Sequence, residues 1–302
     1  MAPGTLALKG MVTTADGLLI IDKPAGWTSH DVVAKLRRLT GTKRVGHAGT
    51  LDPLATGVLV VGVGKATRLL GHLTLAEKEY QATIRLGQAT DTCDAEGSII
   101  GGAPAGGVTL AAVRAAAQQL TGEIQQIPPA ISAIKVDGTR AHRLARAGGT
   151  PALAARPVTV RSFSVLAERR AGDLLDVDVA VTCSSGTYIR ALARDLGEAL
   201  GVGGHVTVLR RTRAGAYGLS LAHGLDQLKP DEVLIPLERA AADAFPSRLL
   251  TDAEARWLSH GGRLPGSGAA PGPVAAFGPD GTLIALVEES GNQARPLAVF
   301  VP

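Results

Sequence analysis

Two segments of the chain, at 78–86 and at 174–183, place apolar residues at every second position. Side chains on a strand point to opposite faces in turn, so this period of two predicts two strands that each bury one face. Unbroken apolar runs at 17–21 and 58–63, and a further segment at 158–165, predict additional strands. These segments are expected to form the sheet of the larger part of the chain.

Helical periodicity follows residues that favour a helix N-terminus. Thr28 or Ser29 can cap one helix, which Gly41 ends, and Thr109 can cap a second. A third helix is predicted to begin near Thr187. The apolar faces of the three helices carry Val32, Leu36 and Leu39, then Leu110, Val113, Ala117 and Leu120, and last Ile189, Leu192, Leu196 and Leu200.

The pattern changes beyond about Phe245. Short apolar strands follow at 274–277, 283–288 and 297–301. They predict a compact β-rich domain at 246–302, behind a larger domain at 17–245 and a flexible tail at 1–16. Strands and helices together place the chain in the α+β class, with a mainly antiparallel mixed sheet flanked by helices.

Composition and charge limit the classes of protein that remain. Of 302 residues, 45% are hydrophobic and 19% are charged, which is typical of a globular protein rather than a disordered one. The net charge of +4 and the sequence pI of about 9.3 permit a polyanionic partner. Cys93 and Cys183 lie far apart and no His-Glu-x-x-His pattern occurs, so neither a disulfide framework nor a metal site is indicated. With no signal peptide or membrane-spanning run visible, a reduced cytoplasmic protein is expected.

One stretch, Gly-His-Ala-Gly-Thr-Leu-Asp-Pro-Leu-Ala-Thr-Gly at 46–57, places a single carboxylate, Asp52, among small and turn-forming residues. Pro53 restricts the backbone before it, and glycine lets a backbone come close to another group. Asp before Pro is also a common start of a turn. On this stretch alone, Asp52 is equally a turn residue or a reactive carboxylate.

Five further blocks have local interpretations of their own. Lys-Pro-x-Gly-x-Thr-Ser at 23–29 is typical of a turn before a capped helix. Tyr80, in Lys-Glu-Tyr, begins on the apolar side of its strand, where tyrosine is more often a core residue. The acidic block at 86–97 lacks the spacing of a calcium loop and predicts a structured turn. Arg190, in Ser-x-Gly-Thr-Tyr-Ile-Arg, falls in the first turn of a helix, where a cation is unfavourable, and such conflicts concentrate at functional sites. The block at 203–215 places three arginines behind a short apolar strand.

Taken in this order, the blocks resemble the tRNA pseudouridine synthase B family over roughly residues 17–237. The resemblance implies an enzyme that isomerises uridine to pseudouridine at universal position 55, in the T-arm loop of tRNA. The base is flipped out, its glycosidic bond is broken, and it is rotated and rejoined through C5. The family's C-terminal domain implies that residues 246–302 form a PUA-like RNA-binding domain. Because the reaction adds and removes nothing, no cofactor or metal is required, and a monomer that acts on tRNA away from membranes is expected.

The family's motifs assign roles to particular residues. Asp52 is implied as the catalytic carboxylate, Arg190 as the cation that keeps it ionised, and Tyr80 as the ring that stacks on the base and moves the C5 proton. His47 is implied to fill the gap left by the flipped base, and Leu209 to contact the base from below. The implied contacts with substrate or RNA are His47, Lys23, Gly49, Thr50, Leu51, Tyr188, Leu209, Arg210 and Arg211.

Several points stay open on the sequence alone. Asp52 can attack C1′, add to C6 of the uracil or remove the C2′ proton, and the sequence does not choose among these routes. Ile131 and His142 stand where the family has aromatic residues, so no stacking contact is assigned to either position. A non-catalytic protein that binds or folds tRNA is the alternative function. A nucleoside hydrolase is disfavoured because no second carboxylate stands close to Asp52 in the sequence.

Overall fold

The protein forms two compact units. Its computed structural model describes residues 15–131, 135–136, 139–140, 153–268 and 272–301. The first unit contains residues 15–52, 58–74 and 215–301, and the second contains residues 53–57 and 75–214. The division falls directly after Asp52. Residues 1–14 of the predicted tail and His142 lie outside the described residues, and the predicted domain boundaries stay predictions.

The described part of the chain contains seven α-helices and nineteen strands. The helices are α1 Ser29–Thr40, α2 Leu70–Leu73, α3 Leu110–Gln119, α4 Ile189–Ala199, α5 Pro230–Val233, α6 Leu237–Ala244 and α7 Asp252–Ser259. The strands are β1 Gly17–Lys23, β2 Val45–Ala48, β3 Thr56–Val63, β4 Lys78–Leu86, β5 Ala89–Thr90, β6 Ile99–Gly101, β7 Gly122–Gln126, β8 Lys135–Val136, β9 Thr139–Arg140, β10 Arg156–Ala171, β11 Leu174–Cys183, β12 Gly204–Ala214, β13 Tyr217–Gly218, β14 Ile235–Pro236, β15 Ser247–Leu249, β16 Leu264–Pro265, β17 Gly272–Phe277, β18 Leu283–Ser290 and β19 Gln293–Val299. None of these helices is long and apolar enough to cross a membrane.

In the first unit, β1 lies between β14 and β3, and β2 pairs with β3 in antiparallel fashion. Helix α1 begins after Thr28, whose hydroxyl accepts the N–H of Asp31 at 3.1 Å. The carboxylate of Asp31 accepts the N–H of Thr28 at 2.9 Å in return, which completes a capping box. Gly41 ends the helix in the left-handed conformation. Both predicted ends of this helix are confirmed.

The first unit also contains the predicted β-rich C-terminal module. Its five strands lie in the order β15-β17-β18-β19-β16, and β15 is parallel to β17 whereas the other pairs are antiparallel. Leu258 of α7 packs with Val274, Ala276 and Val287 in the core of the module. The expectation of a small β-rich domain at the C-terminal end is therefore confirmed.

The second unit is built on five consecutive antiparallel neighbours in the order β12-β4-β11-β10-β7. The two alternating segments of the sequence form β4 and β11, and their apolar faces are buried as predicted. Helix α4 packs on β12, and α3 packs on β10. The predicted class, α+β with a mainly antiparallel mixed sheet flanked by helices, is confirmed.

Strand β12 departs from simple alternation. Its pairing with β4 shifts register once between Val206 and Val208 and again between Arg211 and Arg213. An extra residue reverses the face to which the following side chains point. As a result Val208 is 55% exposed, while Arg211 is buried and pairs with Tyr80.

A lysine is buried at the start of β4. Lys78 lies opposite Cys183 of β11 and Ala214 of β12, and its ammonium group donates to the carbonyl of Ala76 at 2.7 Å. Burial, together with the nearby charge of Arg211, lowers the pKa of Lys78 to about 8. Burial raises the pKa of the Cys183 thiol to about 11. Both groups are therefore held in a less charged state than they have in water.

The lowered pKa of Lys78 makes stability depend on pH. The folded protein releases this proton near pH 8, whereas the unfolded chain keeps it until about pH 10.4, so the unfolded state binds more protons between these values. The free energy of unfolding therefore rises with pH in this window, by up to about 2 kcal/mol between pH 7.5 and 9.5.

Urea unfolding of the wild type and of Lys78→Met at these two pH values isolates the effect, because Cys183 titrates in both proteins. We expect the free energy of unfolding of Lys78→Met minus that of the wild type to be lower at pH 9.5 than at pH 7.5. An advantage that stays constant with pH would contradict this account.

Candidate active site

The hydroxyl group of Ser29 binds the loop that carries Asp52. Oγ of Ser29, in the first turn of α1, accepts the N–H of Leu51 at 2.9 Å and donates to the carbonyl of Leu51 at 3.1 Å. Ser29 and Leu51 are both buried, so water does not compete for these bonds. Gly49 has a φ of 83°, a left-handed conformation that glycine adopts without strain. The backbone is thus fixed directly before Asp52, which is itself half-buried.

A buried lysine shapes the turn that leads into α1. Lys23, at the end of β1, is fully buried, and its ammonium group donates to the carbonyls of Pro24 at 3.0 Å and Trp27 at 2.6 Å. These bonds close the turn between β1 and the cap at Thr28. Lys23 therefore contributes to the position of Ser29, one residue beyond the cap. Its predicted contact with RNA stays a prediction.

His47 lies at the surface of the first unit. It is half-buried on β2, opposite Val61 of β3. Its ring packs edge to face on the exposed His30, with the ring centres 5.6 Å apart. His47 is therefore not enclosed in the core, and its predicted role of filling the gap left by a flipped base stays a prediction.

Arg190 is buried although it lies in the first turn of α4. Its guanidinium donates to the carbonyls of Thr92 and Ile131, each at 2.8 Å, and Nη1 lies 3.3 Å from the carboxylate of Asp94. Asp94 also accepts the hydroxyl of Thr92 at 2.5 Å and the N–H of Glu96 at 3.1 Å. Hydrogen bonds on both partners offset the cost of removing the two charges from water. The acidic block at 86–97 is therefore a structured turn, as predicted, and one of its carboxylates holds Arg190.

The start of α4 is set by a side chain from β7. Oε1 of Gln126 accepts the N–H of Tyr188 at 2.8 Å, and Nε2 of Gln126 donates to the carbonyl of Tyr188 at 3.2 Å. Tyr188 keeps an extended backbone, with φ of −103° and ψ of 112°, and the helix begins at Ile189. The predicted start near Thr187 was thus early by two residues, because Gln126 takes the place of a local cap.

Tyr80 lies in the middle of the second unit's sheet. It is 8% exposed and pairs with Val181 of β11 and Arg211 of β12. Leu209 is buried opposite Ala82, two residues along β4. Directly paired residues share one face of a sheet, so Tyr80, Leu209 and Arg211 all lie on the same face.

Two neighbouring arginines of β12 differ in accessibility. Arg210 is half-buried, and Nη1 donates to the hydroxyl of Thr56 at 3.3 Å. Arg211 is 1% exposed. A contact with a phosphate requires an accessible guanidinium, which Arg210 offers and Arg211 does not. RNA contacts by either residue stay predictions.

The predicted site residues fall into two groups. Asp52 belongs to the first unit, with Lys23, His47 and residues 49–51, whereas Tyr80, Tyr188, Arg190 and residues 209–211 belong to the second. The structure brings Tyr80, Leu209 and Arg211 together on one sheet face, and it brings residues 49–52 together with the start of α1. A pairing of Arg190 with Asp52 stays a prediction, because the two residues belong to different units.

Three buried polar partners were not identified from the sequence, namely Ser29 beside the Asp52 loop, Asp94 beside Arg190 and Gln126 beside Tyr188. Ser29 was considered only as a helix cap, and Asp94 only as part of a turn. Their partners lie 22 to 96 positions away, and contacts over such separations leave no local pattern.

Within the described residues, no cluster of three or more His, Cys, Asp or Glu could hold a metal ion.

Three protein-family models match consecutive parts of the chain. Residues 37–189 match the N-terminal domain of the TruB family of pseudouridylate synthases. Residues 190–243 match the C-terminal domain of tRNA pseudouridylate synthase B, and residues 245–301 match the C-terminal model of tRNA pseudouridine synthase II. Nearly all of the chain from residue 37 onward is thus matched.

Individual relatives agree with these models. The protein named tRNA pseudouridine synthase B of Thermobifida fusca (strain YX) is 59% identical, over 95% of this chain and 99% of its own length. The protein of the same name from Mycobacterium tuberculosis (strain ATCC 25618 / H37Rv) is 54% identical, over 97% and 98%. A solved structure of an H/ACA RNP bound to a substrate RNA containing 2′-deoxyuridine is similar with a TM-score of 0.70 and 28% identity, over 95% of this chain and 85% of that chain.

The hydroxyl of Ser29 provides a direct test of how the Asp52 loop is held. Ser29→Ala leaves the buried N–H and carbonyl of Leu51 without this partner, which costs about 1–3 kcal/mol in the free energy of unfolding. We expect the amide of Leu51 to exchange with solvent at least about tenfold faster, measured by hydrogen exchange with NMR detection.

Thr28→Ala is the matched control, because it removes the cap of the same helix at a cost of about 1 kcal/mol but keeps Ser29. Protection of the Leu51 amide should survive in this variant. Equal loss of protection in both variants would show that the helix end, rather than the hydroxyl, holds the loop.

Proposed function

The chain belongs to the TruB family of pseudouridylate synthases, and from this membership we infer that it isomerises uridine to pseudouridine in tRNA. Within the site, the Asp52 loop supports this inference most directly. Ser29 fixes the backbone of the loop, and Asp52 is half-buried. A reactive group must be held in one place, since a displacement of about 1 Å can cost a hundredfold in rate.

The reaction exchanges one bond of ribose C1′ for another. The bond from C1′ to N1 of uracil breaks, the base rotates, and a bond from C1′ to C5 forms. The proton that leaves C5 is balanced by a proton gained at N1, so the product is an isomer of the substrate. In a folded RNA the base must first leave its stack, at a cost of a few kcal/mol.

Asp52 is proposed as the carboxylate that acts on the nucleoside. It can form a covalent bond with C1′, add to C6 of the base, or remove the C2′ proton to start glycosidic cleavage. Each route requires the ionised carboxylate. The half-buried loop position supports this assignment, because the side chain is not enclosed in the hydrophobic core of its unit.

Arg190 is proposed to keep Asp52 ionised and oriented during the reaction. A cation at close range favours the charged form of a carboxylate. Asp94 and the carbonyls of Thr92 and Ile131 already fix the direction of the guanidinium. Asp94 is therefore proposed to position Arg190, while Arg190 itself meets the reacting groups.

Tyr80 is proposed to stack on the base and to move the C5 proton. Leu209, on the same sheet face, would contact the base from below. Tyr188, whose backbone is fixed by Gln126, would line the same pocket. His47 would fill the gap in the RNA, and Lys23, Gly49, Thr50 and Leu51 would shape the loop that meets the flipped nucleoside.

We also propose which uridine of the tRNA is the target. We expect the target to be the uridine at position 55 in the loop of the T-arm, bound as a stem-loop whose loop bases are splayed out. Arg210 is the better placed of the two neighbouring arginines for a phosphate contact, because it is partly accessible. The enzyme is proposed to act as a monomer in the cytoplasm.

Asp52→Asn tests the enzyme directly. We expect tritium release from a T-arm hairpin labelled at C5 of uridine to fall by at least about a thousandfold, because the amide can neither attack nor accept a proton. Hairpin affinity should stay within about threefold of the wild type. Tight binding without tritium release from the wild type itself would instead establish the alternative, a non-catalytic tRNA-binding or folding protein.

Asp94→Asn tests the positioning of Arg190. The variant keeps the shape of the side chain but removes the charge that faces the guanidinium at 3.3 Å, and we expect kcat to fall by about a hundredfold with little change in RNA affinity. Asp91→Asn is the control, since Asp91 lies in the same turn and its carboxylate accepts the N–H of Ser98 at 2.9 Å. If the two variants have the same kcat, Asp94 has no positioning role.

A further inference from the structure

One of the two tryptophans of the chain lies in the open. Trp257, on α7 of the C-terminal module, is 61% exposed, whereas the next residue, Leu258, is fully buried. Tryptophan is usually buried on average, because its large apolar surface is costly to leave in water. Packing within the module therefore does not account for the exposed indole, and a ligand that covers the ring would.

The exposed ring is held in one orientation. Nε1 of Trp257 donates to the carbonyl of Arg263 at 2.9 Å. The chain also turns back after α7, where the N–H of Gly262 donates to the carbonyl of Trp257 at 3.0 Å. A Cβ atom on Gly262 would lie 2.2 Å from Nε1, so the edge of the indole lies directly against the glycine backbone. Such a ring loses little conformational entropy when a flat ligand binds, which makes it preorganised.

Two exposed arginines and an exposed histidine lie within six residues of Trp257 in the sequence. Arg256 precedes Trp257, His260 follows three residues later on the same helical surface, and Arg263 supplies the carbonyl that binds Nε1. The nearest acids of the helix, Asp252 and Glu254, lie in its first turn, and Glu254 is engaged with Thr251 and Arg248. We call the four residues Trp257, Arg256, His260 and Arg263 the indole platform.

We propose that the indole platform stacks on an unpaired nucleobase of the tRNA. This rests on the proposed function, which makes tRNA the ligand of the enzyme. Bases stack on aromatic side chains, and arginines beside such a ring contact the neighbouring phosphates. The charges favour a nucleic acid, because Arg256 and Arg263 are exposed and can meet phosphates, whereas Glu254 is engaged with Thr251 and Arg248.

Fluorescence can report directly on the platform because the chain has two tryptophans, Trp27 and Trp257. In Trp27→Phe, the emission comes from Trp257 alone. Titration with full-length tRNA is expected to quench this emission and to protect the ring from iodide. Emission that stays unchanged at saturating tRNA would overturn the proposal.

Affinity provides the second measurement. Trp257→Ala is expected to raise the Kd for full-length tRNA about tenfold, and Trp257→Phe should stay within about threefold because it keeps an aromatic ring. Gly262→Ala should weaken binding as Trp257→Ala does, because the added methyl group displaces the ring. Thermal unfolding of each variant shows whether the module remains folded, and unchanged Kd in folded Trp257→Ala would overturn the proposal.

Two further readouts separate the possible failures. If Trp257→Ala changes the sedimentation of the free protein but not its Kd for tRNA, the occupant is a second copy of the chain and the proposal is wrong. Pseudouridine formation in a T-arm hairpin tests the enzyme independently. A wild type that forms no pseudouridine overturns the proposed function, while a tenfold loss of tRNA affinity in Trp257→Ala still supports the platform.

Discussion

The role proposed for Asp52 requires a carboxylate that is held in place without being drawn into the core, and the hydroxyl of Ser29 fixes the backbone directly before it. Both of its hydrogen bonds go to the backbone of Leu51, so they fix the loop at the residue directly before the carboxylate. Other features of the first unit serve this contact. Lys23 closes the turn before the helix and Thr28 caps it, which places Ser29 in its first turn.

In the second unit, several charged side chains are buried. Arg190 and Asp94 face each other at 3.3 Å with almost no access to water, and Lys78 and Arg211 are buried on the face of the sheet that carries Tyr80. Buried charges of this kind rarely add net stability, because the cost of desolvation is comparable to the attraction regained. The arrangement is therefore better explained by the need for oriented cations beside the proposed base pocket.

The sequence predicted local structure well and long-range polar contacts poorly. The strands β4 and β11 and both ends of α1 follow from alternation and capping residues, since those signals lie within a few positions of the structure they specify. Asp52, Tyr80 and Arg190 were selected from sequence motifs. Asp94 was not, because its partner lies 96 positions away. The two register shifts in β12 were also invisible, although they decide that Arg211 points into the unit.

Affinity for a polyanion must come from local arrangements in this protein, because its net charge is only +4. The arginines divide accordingly between two tasks. Arg190 and Arg211 are buried in the second unit, whereas five of the ten residues at 35–44 are Lys or Arg and none is acidic. These cations lie on α1 and directly after it, the helix whose first turn contains Ser29. The same helix therefore carries this group of cations and, through Ser29, holds the backbone directly before Asp52.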